Sequence, residues 1–266
     1  MKKKYLVETS AVLPAIGFSN RDHNEYFRQT FGEGELYASI YIRMEVIRKW
    51  VCELIEFAEL LDQCSTVSDA FLFWSQTYGR KPKVASDVVG WILRQRGIIG
   101  DLGSHQVAIE VAQKAVEILQ AFDLCLPSKI NNTCGCRRGG LPLAVDYRAL
   151  LRELSRFRKD FLAGAMDCRI AVFLQLTNPK GRAGKLLNCP VVASDIKIAS
   201  PLQDIVNAQR VACTQCKRIG DQVIALEQPA GVTLVHVDAS YDILCACTGR
   251  DHVKIRSALS FKPTAS

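Results

Sequence analysis

Two short apolar segments, at opposite ends of the chain, are each followed by an acidic residue. Tyr5-Leu6-Val7 precedes Glu8, and the segment Val232 to Val237 precedes Asp238. Both segments have the length and residue types of buried β-strands. In a parallel sheet, ligands collect in the crevice outside the carboxyl ends of the strands. The pattern therefore predicts an α/β chain in which both acids lie at one edge of a sheet.

Two further acids are placed to join them. The segment Leu36 to Ile42 is rich in β-branched and aromatic residues, and it leads into a helix whose first turn contains Glu45. Asp221 begins a helix, Gln222 to Gln228, that leads to the strand before Asp238. Converging carboxylates repel one another unless a cation binds between them, and Mg²⁺ and Mn²⁺ prefer such oxygen ligands. Each acid also has an ordinary structural explanation, as a residue in the first turn of a helix or at the end of a strand.

Four segments resemble, in order, the motifs of PIN-domain nucleases. The first has a strand, an acid, a small polar residue and an apolar helix start, and in the second a serine leads to a helical Glu. In the third an Asp opens a helix, and the fourth is a strand that ends in Asp and is followed by an aromatic residue. They are Lys4 to Leu13, Tyr37 to Glu45, Ile219 to Glu227 and Leu234 to Asp242. The resemblance covers residues 1–65 and 190–260.

The resemblance implies an α/β, PIN-like three-layer fold with a twisted parallel sheet between helices. It also implies a metal-dependent endoribonuclease that hydrolyses RNA phosphodiester bonds. On this basis four carboxylates would hold Mg²⁺ or Mn²⁺, with Asp242 in reserve, and Ser10 and Ser39 would position water or phosphate. The four are Glu8, Glu45, Asp221 and Asp238.

Two departures from the family pattern leave an alternative open. Glu8 stands where the family usually has Asp, which moves the carboxylate and favours a catalytically degenerate module that binds nucleic acid or protein. Residues 66–189 form a predicted helical insertion between the two parts of the core, residues 1–65 and 190–266. That insertion would act as a substrate clamp, as a lid, or as a surface for a protein inhibitor or partner.

The cysteines suggest a second, structural metal. An odd total of 11 does not suit a closed disulfide framework, and clustered cysteines in a reducing compartment indicate metal binding. A C-x-C pair and a C-x-x-C pair together offer the four thiolates of a tetrahedral Zn²⁺ site, with Cys189 as a substitute for one of them. Unligated thiols are the alternative. The four cysteines are Cys134, Cys136, Cys213 and Cys216, and a second candidate cluster is Cys245, Cys247 and His252.

Net charge and hydropathy limit the partners and the cellular location that the sequence predicts. The net charge of +7 permits nucleic-acid binding, with a dispersed basic surface that includes Arg137, Arg138, Lys217 and Arg218. No apolar run is long enough to span a membrane, and the basic N-terminus lacks the apolar region of a secretory signal. These features predict a cytoplasmic protein. The four histidines show no spacing that indicates a catalytic pair.

Overall fold

The computed structural model describes residues 2–19, 21–96, 104–126, 128–130, 134–140, 149–164, 170, 173, 182–207 and 213–255. The described residues include a five-stranded sheet in the order β3-β2-β1-β4-β5, and every neighbouring pair is parallel. The α/β class predicted from the sequence is therefore confirmed. The strands are β1 (Lys4–Val7), β2 (Glu35–Ser39), β3 (Ser128–Ile130), β4 (Thr233–His236) and β5 (His252–Lys254).

Helices make up most of the remaining described chain. In chain order they are α1 (Thr9–Ala15), α2 (Arg21–Phe31), α3 (Ile40–Val46), α4 (Cys52–Gln63), α5 (Val67–Tyr78), α6 (Lys83–Arg96), α7 (Ser104–Cys125), α8 (Leu150–Ala163), α9 (Arg182–Leu187), α10 (Pro190–Ser194), α11 (Ile196–Asn207), α12 (Cys213–Arg218), α13 (Gly220–Glu227) and α14 (Ser240–Thr248). A π-helical segment, Ile47–Val51, precedes α4.

The register of the central strands brings the two ends of the chain together. Leu6 of β1 is aligned with Leu234 of β4 on one side and with Tyr37 of β2 on the other. The Glu8 amide extends this pairing by donating to the Val235 carbonyl at 3.0 Å. Leu6, Val7, Leu234 and Val235 are fully buried, so burial of their apolar side chains stabilises this alignment. Both acids that follow these strands consequently begin at the same edge of the sheet.

The chain divides into two compact units. The first contains residues 1–45, 121–140 and 164–266, and the second contains residues 46–120 and 141–163. In the second unit, α4 packs against α5, α6 and α8, and Arg158 forms ion pairs with Glu56 and Glu59. Its described residues from 46 to 120 and from 149 to 163 are almost entirely helical.

The boundaries of the units differ from the predicted limits at 65/66 and 189/190. Residues 121–140 fall in the sheet-containing unit because β3 pairs with β2 and because Arg43 anchors this segment. The buried Arg43 guanidinium donates to Asp123 at 2.7 and 2.9 Å and to the Gly139 carbonyl at 2.6 Å. Three-residue edge strands such as β3 give too short a pattern for the sequence to reveal.

One predicted strand segment also needs correction, and a second segment with strand-like residue types is helical. Only Glu35–Ser39 of the segment around Leu36 to Ile42 is a strand, because Ile40 begins α3. The segment from Pro190 to Ala193, which has the apolar and β-branched character of a strand, is part of helix α10. Proline in the first turn of a helix lacks only an amide hydrogen that would be unpaired there, so the position favours helix.

Candidate functional site

All four predicted carboxylates lie in the sheet-containing unit, on segments that meet at the carboxyl edge of the sheet. Glu8 follows β1 directly, Asp238 follows β4, Asp221 lies in the first turn of α13, and Glu45 lies in α3. Glu8 and Glu45 are buried, Asp221 is half-buried and Asp238 is exposed. The group therefore extends from the interior of the unit to its surface.

Glu8 is held by the turn that it begins. Its carboxylate accepts hydrogen bonds from the Ser10 amide at 2.8 Å and from the Val237 amide at 3.2 Å, and also from the Ser10 hydroxyl. The side chain thus caps α1 and joins it to the segment after β4. The pKa of Glu8 is raised to about 8, mainly by burial and also by the charges of Asp238 and Asp221, although the hydrogen bonds from the Ser10 and Val237 amides lower it. An anionic Glu8 consequently needs a compensating positive charge.

Glu45 is fixed by contacts on two sides. The Thr9 hydroxyl donates to its carboxylate at 2.6 Å, and both residues are buried. On the other side lies Gly220, where an added Cβ would be 2.8 Å from the Glu45 Oε1 atom and 3.4 Å from the Tyr41 hydroxyl. Only a residue without a side chain lets α13 approach Glu45 this closely, and Asp221 is the next residue of that helix.

Tyr241 lies close to three of the four predicted carboxylates. Its side chain is fully buried, and within the described part of the chain its hydroxyl has no hydrogen-bond partner. Burial raises the pKa of this phenol well above its usual range, and the charges of Glu8, Asp221 and Glu45 raise it further. Three of the four predicted acids therefore act on one buried hydroxyl. The sequence indicated only that an aromatic residue follows Asp238.

The serines have structural partners. Ser39 is buried, and its hydroxyl accepts a hydrogen bond from the Ile42 amide at 3.1 Å, so it caps α3. Ser240, which sequence reasoning did not select, donates to the Asp221 carboxylate at 2.7 Å. Ser10 and Ser240 thus each hold one of the acids in place.

The spacing of the acids limits how they could hold a cation. Within the described residues, the only three acidic, histidine or cysteine side chains with ligand atoms all within 4.8 Å of one another are His236, Asp242 and His252. The four predicted acids are therefore more widely spaced than the ligands of one fully protein-bound ion. Mg²⁺ usually keeps several water ligands and binds through one or two carboxylates, so this donor set still fits a hard, hydrated cation. The buried Tyr241 hydroxyl, which has no hydrogen-bond partner among the described residues, is consistent with that fit.

Three of the four predicted zinc ligands are neighbours. Cys134, Cys136 and Cys216 are all buried, and each of the pairs Cys134/Cys136 and Cys136/Cys216 is close enough for one thiol to raise the pKa of another. Burial is the main cause of the raised pKa values of Cys134 and Cys136. The side chain of Cys213 lies outside the described residues. The C-x-C and C-x-x-C segments are thus brought near each other, but the sulfur atoms of Cys134, Cys136 and Cys216 do not all lie within 4.8 Å of one another. Zinc binding stays a prediction.

The second predicted cysteine cluster is wrong. Cys247 forms a disulfide with Cys189, and this also removes Cys189 as a substitute zinc ligand. Cys245 is buried, with its thiol 3.8 Å from the Gln228 side-chain oxygen, and burial raises its pKa to about 12. His252 instead faces His236, at 3.0 Å between ring nitrogens. The spacing of the histidines in the sequence gave no sign of this pair, since 16 residues separate them and β-strand pairing brings them together.

The predicted basic surface is only partly confirmed. Arg137, Lys217 and Arg218 are exposed, but Arg138 is buried and therefore does not belong to that surface. Lys217 and Arg218 end α12, immediately before the helix that carries Asp221.

Comparisons with protein-family models, with curated proteins and with solved structures found no match to this chain. Among the described helices, none combines the length and the apolar character needed to cross a lipid bilayer.

Proposed function

We propose that this protein is a PIN-like, metal-dependent endoribonuclease. The observation that carries the proposal is that Glu8, Glu45 and Asp221, from three separate segments at the carboxyl edge of a parallel sheet, are all close enough to the buried Tyr241 hydroxyl to raise its pKa. Such an edge is where α/β sheets bind ligands, and a carboxyl group with a strongly raised pKa in such a place, as Glu8 has, is characteristic of functional sites.

The acids would share the work of holding Mg²⁺ or Mn²⁺. Asp221 and the exposed Asp238 are the ligands that solvent and substrate can reach, whereas Glu8 and Glu45 are buried behind them. When bound, the ion would activate water and neutralise charge on the phosphodiester. Thr9 and Ser240 orient Glu45 and Asp221 through their hydroxyls, which restricts the carboxylates to one rotamer each.

RNA is the proposed substrate because exposed basic residues lie close to Asp221 in the sequence. Lys217 and Arg218 precede Asp221 by only a few residues, and both are exposed. Lysine and arginine side chains contribute affinity for phosphate in a salt-dependent manner, without specifying sequence. Binding that weakens as salt rises is therefore expected for any RNA that reaches the site.

Cleavage of mixed single-stranded RNA in Mn²⁺, in Mg²⁺ and in chelator tests the proposal. Cutting that requires metal and is lost in Asp221→Asn would support it. Folded protein that leaves RNA intact with every metal would contradict it.

A degenerate binding module is the second candidate, and the state of Glu8 favours it. With a pKa of about 8, Glu8 binds a proton at neutral pH, and its oxygens already accept hydrogen bonds from Ser10 and Val237. If these features prevent metal binding, Glu8→Asp should raise both metal affinity and cleavage. Unchanged activity in that variant would exclude Glu8 as the cause of inactivity.

The helical unit offers a surface for a protein partner. Leu72 and Phe73 of α5 are exposed to 59% and 53%, which is unusual for adjacent large apolar side chains. A partner or inhibitor that covers them would be compatible with either candidate function. Loss of a co-purifying partner in Leu72→Glu would support this use of the surface.

A further inference from the structure

A compact group of ligand atoms lies beside the acidic site, and it joins Asp242 and His252, which the sequence placed in two different candidate sites, with His236, which the sequence placed in none. His236 ends β4, His252 begins β5, and Asp242 lies in the first turn of α14. The His236 Nε2 atom is 3.0 Å from the His252 Nδ1 atom, and the Asp242 Oδ1 atom is 3.6 Å from each of these nitrogens.

This triangle has the size of one face of a metal coordination sphere. Its sides of 3.0, 3.6 and 3.6 Å give a circumradius of about 2.0 Å. A point about 0.7 Å above its plane is then about 2.1 Å from all three atoms, which matches zinc–nitrogen and zinc–oxygen bonds. The same height is that of a tetrahedral ion above three of its ligands, so no ligand atom has to move.

The surrounding bonds orient the ligands as metal sites require. The His236 Nδ1 atom is 3.0 Å from the Asp238 carbonyl, and a carbonyl oxygen can only accept. The Nδ1 atom therefore carries the hydrogen, and Nε2 presents its lone pair to the triangle. Lys254 donates to the other Asp242 oxygen, Oδ2, at 2.7 Å, and so holds the carboxylate with Oδ1 facing the histidines.

The position also provides access. His236 is fully buried, whereas the side chains of His252 and Asp242 are 31% and 39% exposed. An ion can therefore enter from the side of His252 and Asp242 and keep water in its fourth position.

We infer that His236, Asp242 and His252 form a binding site for one divalent transition-metal ion with the ligand preferences of Zn²⁺. Imidazole nitrogens distinguish it from the all-carboxylate site, which suits harder cations. The bound ion ties β4, β5 and α14 together around the segment that carries Asp238 and Tyr241, whose ring lies 5.3 Å from that of His236. The inference is independent of whether the acidic site cleaves RNA.

Titration of metal-free protein with Co²⁺, followed by absorption spectroscopy, tests the site. The expected result is a visible absorption band of bound Co²⁺ without the thiolate-to-metal charge-transfer bands that cysteine ligands would add. This difference distinguishes the histidine site from the cysteine cluster. His252→Ala should lower the Co²⁺ affinity of this site by about 100-fold or more, because it removes one of the three ligands. Asp242→Asn should do the same by a change that preserves shape.

His105→Ala is the matched control. His105 also pairs with an aspartate, Asp62, at 2.6 Å, but among the described residues no third ligand atom is close enough to complete a metal-binding group with this pair. This variant should bind Co²⁺ as the wild type does. Equal Co²⁺ binding by wild type, His252→Ala and Asp242→Asn would overturn the inference and reduce the pair to an ordinary hydrogen bond.

A measurement on the unaltered protein covers the case in which the variants fail to fold. Addition of Zn²⁺ should shift the ring nitrogen resonances of His236 Nε2 and His252 Nδ1 and leave those of His105 in place. Unshifted resonances at saturating Zn²⁺ would equally overturn the inference.

Discussion

The Ser240 hydroxyl donates a hydrogen bond to the Asp221 carboxylate at 2.7 Å. This bond joins the start of α14 to the start of α13, two helices that also pack against each other. A carboxylate can accept several hydrogen bonds, and the Ser240 hydroxyl supplies one of those that Asp221 accepts.

Asp221→Asn should reduce metal-dependent RNA cleavage by at least about 100-fold while leaving the fold intact. The amide oxygen can still accept from Ser240, whereas the charge that attracts the cation is gone. The measurement is the initial rate of cleavage in Mn²⁺, with circular dichroism to verify folding. Asp204→Asn is the control, because Asp204 is an exposed acid on α11 and its loss should leave the rate unchanged. Equal rates for both variants would remove Asp221 from the site.

The metal-free protein should lose stability as pH rises from about 4.5 to about 8. Glu8 has a pKa of about 8 in the folded state, against 4.5 for an unburied glutamate. The folded state therefore binds more protons than the unfolded state in this window. Stability from this group is therefore fully present below the lower value and is lost as pH rises through the higher one. The loss is on the order of 4 kcal/mol, at about 1.4 kcal/mol for each pH unit.

Glu8→Gln should flatten that dependence, because an amide does not titrate. Denaturant unfolding in chelator at several pH values measures it, and saturating Mn²⁺ should restore stability to the wild type at pH 8. A pH profile that is identical in wild type and Glu8→Gln would show that Glu8 does not titrate in this window.

Gly220→Ala should destabilise the protein by about 1–3 kcal/mol and weaken metal binding. The new methyl group would stand 2.8 Å from the Glu45 carboxylate, which Thr9 holds in place, so α13 or Glu45 must shift. Gly140→Ala is the control, since an added Cβ there meets nothing within 4 Å. Thermal unfolding compares the two variants, and equal melting temperatures would contradict the close packing around Gly220.

Protein purified under reducing conditions without chelator should contain zinc that Cys136→Ser removes. Cys136 lies among buried thiols that would repel one another as thiolates unless a metal binds them. Cys64→Ser is the control, because Cys64 ends α4, far along the chain from either cysteine motif. Elemental analysis decides the matter, and zinc retained in Cys136→Ser but lost in His252→Ala would assign the metal to the histidine site instead.

The sequence by itself determined the strands before Glu8 and Asp238, the helix that Asp221 begins, and the α/β class. Each of these rests on local patterns: short apolar runs, an acid at a helix start and the turn residues between them. The position of Glu8 and Asp238 at one edge of the sheet follows from the rule that neighbouring parallel strands share one carboxyl end, so it was predictable as well.

Tertiary structure alone decided the rest. The three-residue strand β3 forms because β2 offers it a partner, and its pairing moves residues 121–140 into the sheet-containing unit. Strand pairing likewise brings His236 to His252, and the disulfide removes Cys189 and Cys247 from any metal site. Tyr241 is buried close enough to acids from three distant segments for their charges to raise its pKa. Such relationships depend on contacts between residues far apart in the chain, and local propensity carries no information about them.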